Sequence, residues 1–441
     1  MRASYNGITS DFQSDDGDSI SSARSKELYE ILKKSANKDG LPIMNKSQFV
    51  SVTEKYGKED FRRALADYIE KDKPPYPLKQ FSEEKVIKTF HKLKTVDYNK
   101  FINNSGKEVL EKYDDYAYPY SKYGLGVIDA SSIYNYISDS FMHDLRMSCN
   151  SYGFKAPLTR WNDGDNVWGA LGPIWRGINI DKELSKDVYI SAFRLGCYIA
   201  TQFKPNVAKT FYEMTNAKTV LDTSMGWGDR LTGFYASNAT HYIGCDPNPN
   251  TFTRYKKMIG FFDKLTGGKK TVQMYNCGAE DLPWDRIENV DCAFTSPPYF
   301  STERYNEGGD KEDLQSWKKY DTYEKWRDNF YLPVSKKSFD SLSDEGFLLV
   351  NILDPKVKGK RYRSGDDLVN SMKNDFIGQI GMRIMQRPQG KSVFSDEKGN
   401  FDKIAMNKFM NKIYIENVWC FAKDKTIDLF PKSGSLESFL A

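Results

Sequence analysis

Histidine is nearly missing from this sequence. Only His91, His143 and His241 occur in 441 residues, and no two are close together. A histidine-rich metal site and a histidine-based hydrolase are therefore not expected, and any chemistry has to run on other groups. The six cysteines form no CxxC pair, which argues against a disulfide framework and a zinc ribbon alike. No apolar run approaches the roughly 18–20 residues of a membrane helix. The opening MRASYNGITSDFQSDDGD also lacks the apolar stretch of a signal peptide. The expectation is a cytoplasmic protein with neither membrane nor metal as partner. Charge of one sign is scarce too: 64 Lys+Arg face 60 Asp+Glu, a net +4. A surface for a polyanion has to be local.

What is there suffices for a packed core, since 39% of residues are hydrophobic and 14% aromatic. Residues 1–24 are polar and read as a disordered tail. Residues 25–124 read as helical. SKELYEILKK, SQFVSVTEKYG and KEDFRRALADYIEK space apolar residues three and four apart, and SEEKVIKTFHKLK follows the break KPPYPL. This region is expected to recognise a target or bind a partner. Residues 125–202 read as helical and irregular chain around RWNDGDNVWGALGPIWRG, whose Trp161, Trp168 and Trp175 either stack bases or build a local core.

From 203 to 425 short β-type runs alternate with helical stretches: KTVLDTS, HYIGCD, TVQMYNC, VDCAFTS, a long helix near 323–342, then GFLLVNIL. FIGQIGMRIMQRP and YIENVWCFAKD are candidates for two last strands. Such alternation implies an α/β domain with a mostly parallel sheet covered on both faces. Residues 426–441 read as a second tail.

Three segments carry chemistry. VLDTSMGWG runs a strand ending in Asp222 into a turn with Ser224, Gly226 and Gly228, then a helix whose first amides suit a carboxylate or phosphate. Such turns serve several nucleotide-bearing cofactors, or none. One strand later, Asp246 of YIGCDPN is placed to accept from two ribose hydroxyls, or merely to cap the next helix. Together the two favour an adenosine-bearing cofactor. In DCAFTSPPYF a strand ends in Ser296-Pro297-Pro298-Tyr299. Two prolines fix the backbone and remove its donors, so a hydroxyl, rigid carbonyls and an aromatic face converge. That set suits a planar amine; the bland alternative is a proline turn after a buried strand.

From about Phe203 to Asp424 the chain resembles the S-adenosylmethionine-dependent amino-methyltransferases of DNA. Ser296-Pro297-Pro298-Tyr299 resembles their catalytic motif, VLDTSMGWG their cofactor motif, and FKPNVAKTFYEMTNAKTVLD the Lys-Pro segment and helix that cover the methionine end. The resemblance implies a Rossmann-like class I methyltransferase sheet preceded by a mostly helical region. S-adenosylmethionine is then the cofactor, and DNA, with a flipped base or single-stranded, is the partner. Ser296, Pro297, Pro298 and Tyr299 are implied as catalytic. Lys204, Pro205, Asp222, Ser224, Gly226, Gly228 and Asp246 are implied to bind the cofactor. Gly278 stands where relatives often carry an adenine-binding Asp, so Ala279, Glu280 or Asp281 takes that part. Phe300 and the basic run of Lys356, Lys358, Lys360, Arg361 and Arg363 are assigned to nucleic acid, though such a run is also the mark of a solvated loop.

The implied reaction methylates the exocyclic amine of cytosine (N4) or adenine (N6). Carbon methylation of cytosine is excluded, because it needs a nucleophilic Cys after Pro and no Pro-Cys dipeptide occurs. A methyltransferase acting on RNA or a protein amide shares the cofactor segments. A catalytically silent binding protein would keep the fold, and a nucleotide-dependent oxidoreductase would share the glycine turn but leave the Ser-Pro-Pro-Tyr segment unexplained.

Overall fold

The computed structural model describes residues 22–113, 116–117, 120–386 and 389–430, so the terminal tails fall almost wholly outside it. The chain divides into two compact units, one of residues 22–81, 142–201 and 304–312, the other of 82–141, 202–303 and 313–430.

In the first unit, helices Ser22–Ser35, Lys46–Tyr56, Lys58–Asp72 and Lys186–Gly196 turn their apolar faces to one core that includes Leu28, Leu32, Phe61, Leu65 and Phe193. The three tryptophans belong to that core. Trp161 is buried and its indole donates to Pro74 O at 2.7 Å, while Trp168 and Trp175 pack against the same cluster. Buried Arg62 lies 3.7 Å from the centroid of the Trp168 ring and donates to Trp168 O at 2.8 Å. Of the two roles open to these rings, packing is the one they fill.

The second unit is built on eight strands: β1 Gly124–Asp129, β2 Thr219–Asp222, β3 His241–Cys245, β4 Thr271–Tyr275, β5 Val290–Thr295, β6 Leu342–Asn351, β7 Phe376–Arg383 and β8 Ile415–Ala422. Their order is β1-β7-β8-β6-β5-β2-β3-β4. Every neighbouring pair is parallel except those made by β8, which runs against both β6 and β7. This is the expected Rossmann-like sheet, mostly parallel with helices on both faces, with one added edge strand. Its central strands are apolar on both sides because helices cover both faces. Phe211 of helix Pro205–Met214 meets Phe294 of β5 at 4.8 Å, while Leu348, Val350, Trp419 and Phe421 face the core shared with helices Leu332–Asp340 and Ser364–Ser371.

Three elements depart from the sequence reading. Helix Glu83–Thr95, placed with the N-terminal helices, belongs to the second unit, where Phe90 packs 5.0 Å from Phe262 of helix Pro249–Thr266. Strand β1 lies at the start of the region read as helical and irregular. Its glycines hid it, yet they are needed: a Cβ on Gly126 would strike the Phe430 ring, and one on Gly124 the Tyr120 ring. The long helix near 323–342 is interrupted by a π turn at Arg327–Tyr331, where Leu332 N bonds Arg327 O. Pro333 follows directly, and a widened turn relieves the clash its ring makes with the preceding helical carbonyls.

Candidate active site

The strand order reverses between β2 and β5, so a crevice opens outside their carboxyl ends. Strands β5, β2, β3 and β4 are consecutive in the sheet, and each ends in one of the segments singled out above.

Asp222 closes β2 and is fully buried. Its Oδ2 accepts from Arg230 Nε at 2.9 Å and from the Tyr242 hydroxyl at 2.6 Å, and its Oδ1 accepts from Ser224 N at 3.1 Å. Arg230 also donates to Ser224 O. Burial works against the Arg230 charge, but Asp222 beside it outweighs that, and the guanidinium is held above its usual range. Asp222, implied as a cofactor contact, has both carboxylate oxygens engaged by these donors and braces the turn from inside. The turn itself needs glycine: Gly226 and Gly228 have φ of 57° and 77°. Gly228 caps helix Asp229–Ala236 without a side-chain bond. Lys204 precedes helix Pro205–Met214, with Pro205 buried in its first turn and the ammonium donating to Gln202 O at 3.0 Å.

Asp246, just past β3, is buried with four protein donors around it. Oδ1 faces Asn248 N at 2.9 Å and the Thr251 hydroxyl at 2.9 Å; Oδ2 faces Gly226 N at 3.1 Å and the Tyr255 hydroxyl at 3.1 Å. Burial raises its pKa to about 6 in spite of those bonds. Each hydroxyl has only one proton and a second acceptor at hand: Asn248 O at 2.9 Å for Thr251, and Gly226 O for Tyr255. Turning both protons to the carbonyls frees one acceptor position on each carboxylate oxygen. Two released positions suit a vicinal diol.

After β4, a Cβ on Gly278 would come within 2.9 Å of both Glu280 carboxylate oxygens, so the missing side chain makes room for that group. Glu280 Oε1 accepts from Lys319 Nζ at 2.9 Å and the Tyr320 hydroxyl at 3.1 Å, while Oε2 is buried with no partner among the described residues. An orphaned acceptor suits an exocyclic amine. Asp281 is exposed, and Ala279 O is taken by the Trp284 indole at 3.1 Å. The acceptors at the ends of β3 and β4 therefore fit an adenosine.

The Ser296–Tyr299 turn follows β5. Ser296 Oγ lies 3.4 Å from the Tyr299 hydroxyl, which donates to Asn351 Oδ1 at 3.2 Å. Asn351, buried at the end of β6, is itself oriented by a bond from its Nδ2 to Asn417 O at 3.0 Å. The glycine turn and this turn are joined below the crevice by the buried hydroxyls of Thr223 and Thr295, 3.0 Å apart. Ser296, Pro298 and Tyr299 are partly exposed, and Pro297 is buried. Phe300 does not reach a nucleic acid. A φ of 46° throws its ring inward, where it packs against Tyr323 at 5.7 Å, Tyr362 at 5.8 Å and Trp326 at 6.0 Å. A bulky residue in that backbone region is strained and needs such packing to hold it.

The basic run folds as a hairpin, Lys356–Val357 against Lys360–Arg361, around Lys358 and Gly359 with φ of 49° and 83°. Its members do different work. Arg361 donates to Asp354 O at 2.8 Å, and Arg363 pairs with Asp366 at 2.8 Å and Asp354 at 3.2 Å. Lys358 is exposed, Lys360 is exposed with its ammonium over the Tyr362 ring at 4.7 Å, and Lys356 is half-buried. Arg230, Thr251, Tyr255, Thr295 and Asn351 were missed in the sequence. Asn351 had a signal, a lone polar residue ending the apolar run GFLLVN; the others had none.

No protein-family profile matches the chain, and no curated protein matches it. Solved structures similar to it include an rRNA methylase from Streptococcus thermophilus, 13% identical over 51% of this chain and 100% of that one, with a TM-score of 0.29. Others are a methyltransferase from Geobacter sulfurreducens (10%, 51% and 80%, TM-score 0.29) and the N-terminal domain of EvdMO1 with SAH bound (11%, 50% and 82%, TM-score 0.30).

Proposed function

We propose that the protein transfers a methyl group from S-adenosylmethionine to the exocyclic amine of a nucleobase in DNA, N4 of cytosine or N6 of adenine. The observation that carries this reading is the juxtaposition at the switch point. A glycine turn beside an adenosine-compatible pair of carboxylates, Asp246 and Glu280, is tied through Thr223 and Thr295 to a rigid turn presenting a hydroxyl, a carbonyl and an aromatic ring.

Asp246 would hold the ribose diol, Glu280 the adenine amine, and the glycine turn the methionine end. The bound cofactor supplies an electrophilic methyl on a sulfonium. Ser296 Oγ and the Pro297 carbonyl accept the two hydrogens of the target amine, drawing its nitrogen toward tetrahedral geometry and localising its lone pair. Tyr299 stacks on the base, its ring fixed by the hydroxyl bond to Asn351. The amine nitrogen so oriented would take the methyl with loss of the sulfonium C–S bond, and its surplus proton would leave to water. No strong base is needed, and positioning supplies much of the rate. A base in a duplex cannot enter such a site, so it must be flipped or unpaired.

The test is incubation of the full chain with isotopically labelled S-adenosylmethionine and genomic DNA, total RNA or a protein extract, followed by mass spectrometry of nucleosides and peptides. Label in N4-methylcytosine or N6-methyladenine of DNA supports the proposal. Label confined to RNA or to a peptide amide moves the activity to that substrate, and cofactor binding without label anywhere would leave a silent binding protein.

A further inference from the structure

The connection between β7 and β8, residues 384–414, is an unusual stretch of surface. Among the described residues, five of the ten exposed large hydrophobic side chains lie in it: Met385, Val393, Phe401, Ile404 and Met410. Six basic residues stand there against three acidic ones, a surplus of three within a chain whose whole surplus is four. Among the described residues from 384 to 412 none is buried, so the segment has no core of its own. The turn Lys391–Phe394 is tied to the start of helix Lys403–Met410 by Asp402 N donating to Phe394 O at 2.7 Å and by a ring contact of 5.5 Å between Phe394 and Phe409, and Gln386 Nε2 donates to Phe409 O at 3.2 Å.

We propose that this connection is the surface on which duplex DNA docks, a statement that rests on the nucleic-acid substrate proposed above and adds the element that engages it. The first support is topological. β8 is antiparallel to β6, with Val418 opposite Asn351, and β7 is antiparallel to β8, with Arg383 opposite Ile415. Both roots of the connection therefore leave the sheet at the carboxyl edge of β5 and β6, where the Ser296–Tyr299 turn lies. From β5 to β7 is three strand spacings, about 15 Å. The second support is charge. Asp396, Glu397 and Asp402 keep their charge, Asp396 accepting from Asn400 N at 2.8 Å and Asp402 from Ala405 N at 2.8 Å, and the six basic residues still outnumber them by three. Lys391, Lys398, Lys403 and Lys408 are all exposed, with the Lys391 ammonium over the Phe401 ring at 5.7 Å. Cations interleaved with exposed apolar side chains suit the phosphates and intervening sugars along a duplex backbone. A cleft of about 450 Å³ that includes Lys408 is lined also by Lys107, Glu108, Asn411 and Lys412, with Lys412 paired to Glu108 at 2.7 Å.

The test uses the full chain with Lys391→Gln, Lys398→Gln, Lys403→Gln and Lys408→Gln combined. Anisotropy of fluorescein-labelled duplex DNA and single-stranded RNA is followed across a salt series, with S-adenosylmethionine affinity and melting temperature measured on the same samples. DNA affinity should fall by about tenfold or more, with the log–log salt slope shallower by about 0.9 for each phosphate no longer neutralised. Cofactor affinity and melting should stay unchanged. Wild-type DNA binding by the variant overturns the proposal and leaves Lys358 and Lys360 as the alternative. Loss of RNA binding alone also overturns it, as does a change of oligomeric state with Ile404→Asp, which would mark a protein contact. A wild-type chain that binds cofactor but no nucleic acid removes both this proposal and the substrate proposed above. DNA binding lost in the variant, from a chain that methylates no nucleic acid, keeps the docking surface and removes only the chemistry.

Discussion

Cofactor affinity should be tied to pH through one carboxylate. Burial lifts Asp246 to about 6, and only its ionised form can accept from both hydroxyls of a ribose. Between pH 7 and pH 5 the ionised fraction then drops about tenfold, which is about 1.4 kcal/mol of binding free energy. Calorimetric titration of S-adenosylmethionine into the protein at constant ionic strength should show that loss, levelling off above pH 7. Asp246→Asn should abolish the pH dependence and weaken binding by about 1–3 kcal/mol, since two donors lose their acceptor. The same shift acts on folding with the opposite preference. The native carboxyl holds its proton more tightly than the unfolded one, whose value is 3.8. Its favourable contribution to stability is therefore complete below about pH 3.8 and is lost as pH rises through about 6. The protein without cofactor thus loses stability from this group over the same interval in which it gains affinity. An affinity that stays flat from pH 5 to 7, or that keeps its pH dependence in Asp246→Asn, would refute the reasoning.

Glu280→Gln, which turns an orphaned acceptor into a mixed donor–acceptor, should weaken S-adenosylmethionine by about 1–3 kcal/mol, whereas Asp281→Asn should leave calorimetric affinity alone. Single-turnover rates should fall in Ser296→Ala more than cofactor affinity does, because the hydroxyl is used most as the nitrogen becomes tetrahedral. Tyr299→Ala should cost about 1–3 kcal/mol of stacking in the same assay, with most of it kept in Tyr299→Phe; a wild-type rate in Ser296→Ala would remove that residue from the chemistry. Arg230→Met should lower unfolding free energy in urea by about 3–5 kcal/mol, because it strands the fully buried Asp222.

How much of this was legible depended on how local the cause is. β2 through β8 could be read from bounded apolar runs, and the glycine and Ser-Pro-Pro-Tyr turns from contiguous residues. β1 could not, since its two glycines answer to Tyr120 and Phe430, one of them three hundred residues away. The bracing of Asp222 was hidden for a similar reason: its position after a strand is legible, but Arg230 and Tyr242, which hold its carboxylate, come from a later helix and the next strand. Phe300 was placed on the surface because its left-handed backbone is invisible in the letters. Gly278 was noticed as a departure, and its meaning emerged only when the Glu280 carboxylate was found in the space it vacates.

The reversed strand β8 also bears on how the sheet comes together. It is the last of the eight to be synthesised, yet it lies between β6 and β7. Until it arrives, β2 to β6 can pair as one ribosome-born block, while β7 can pair only with β1, leaving two partial sheets with raw edges facing each other. The final strand is thus a keystone that joins them in a single step, and it brings Asn417 beneath Asn351 as it does so. Assembly of the Tyr299 turn is thereby deferred to the end of synthesis, and a nascent chain halted before residue 415 would expose two unpaired edges to every neighbour on the polysome.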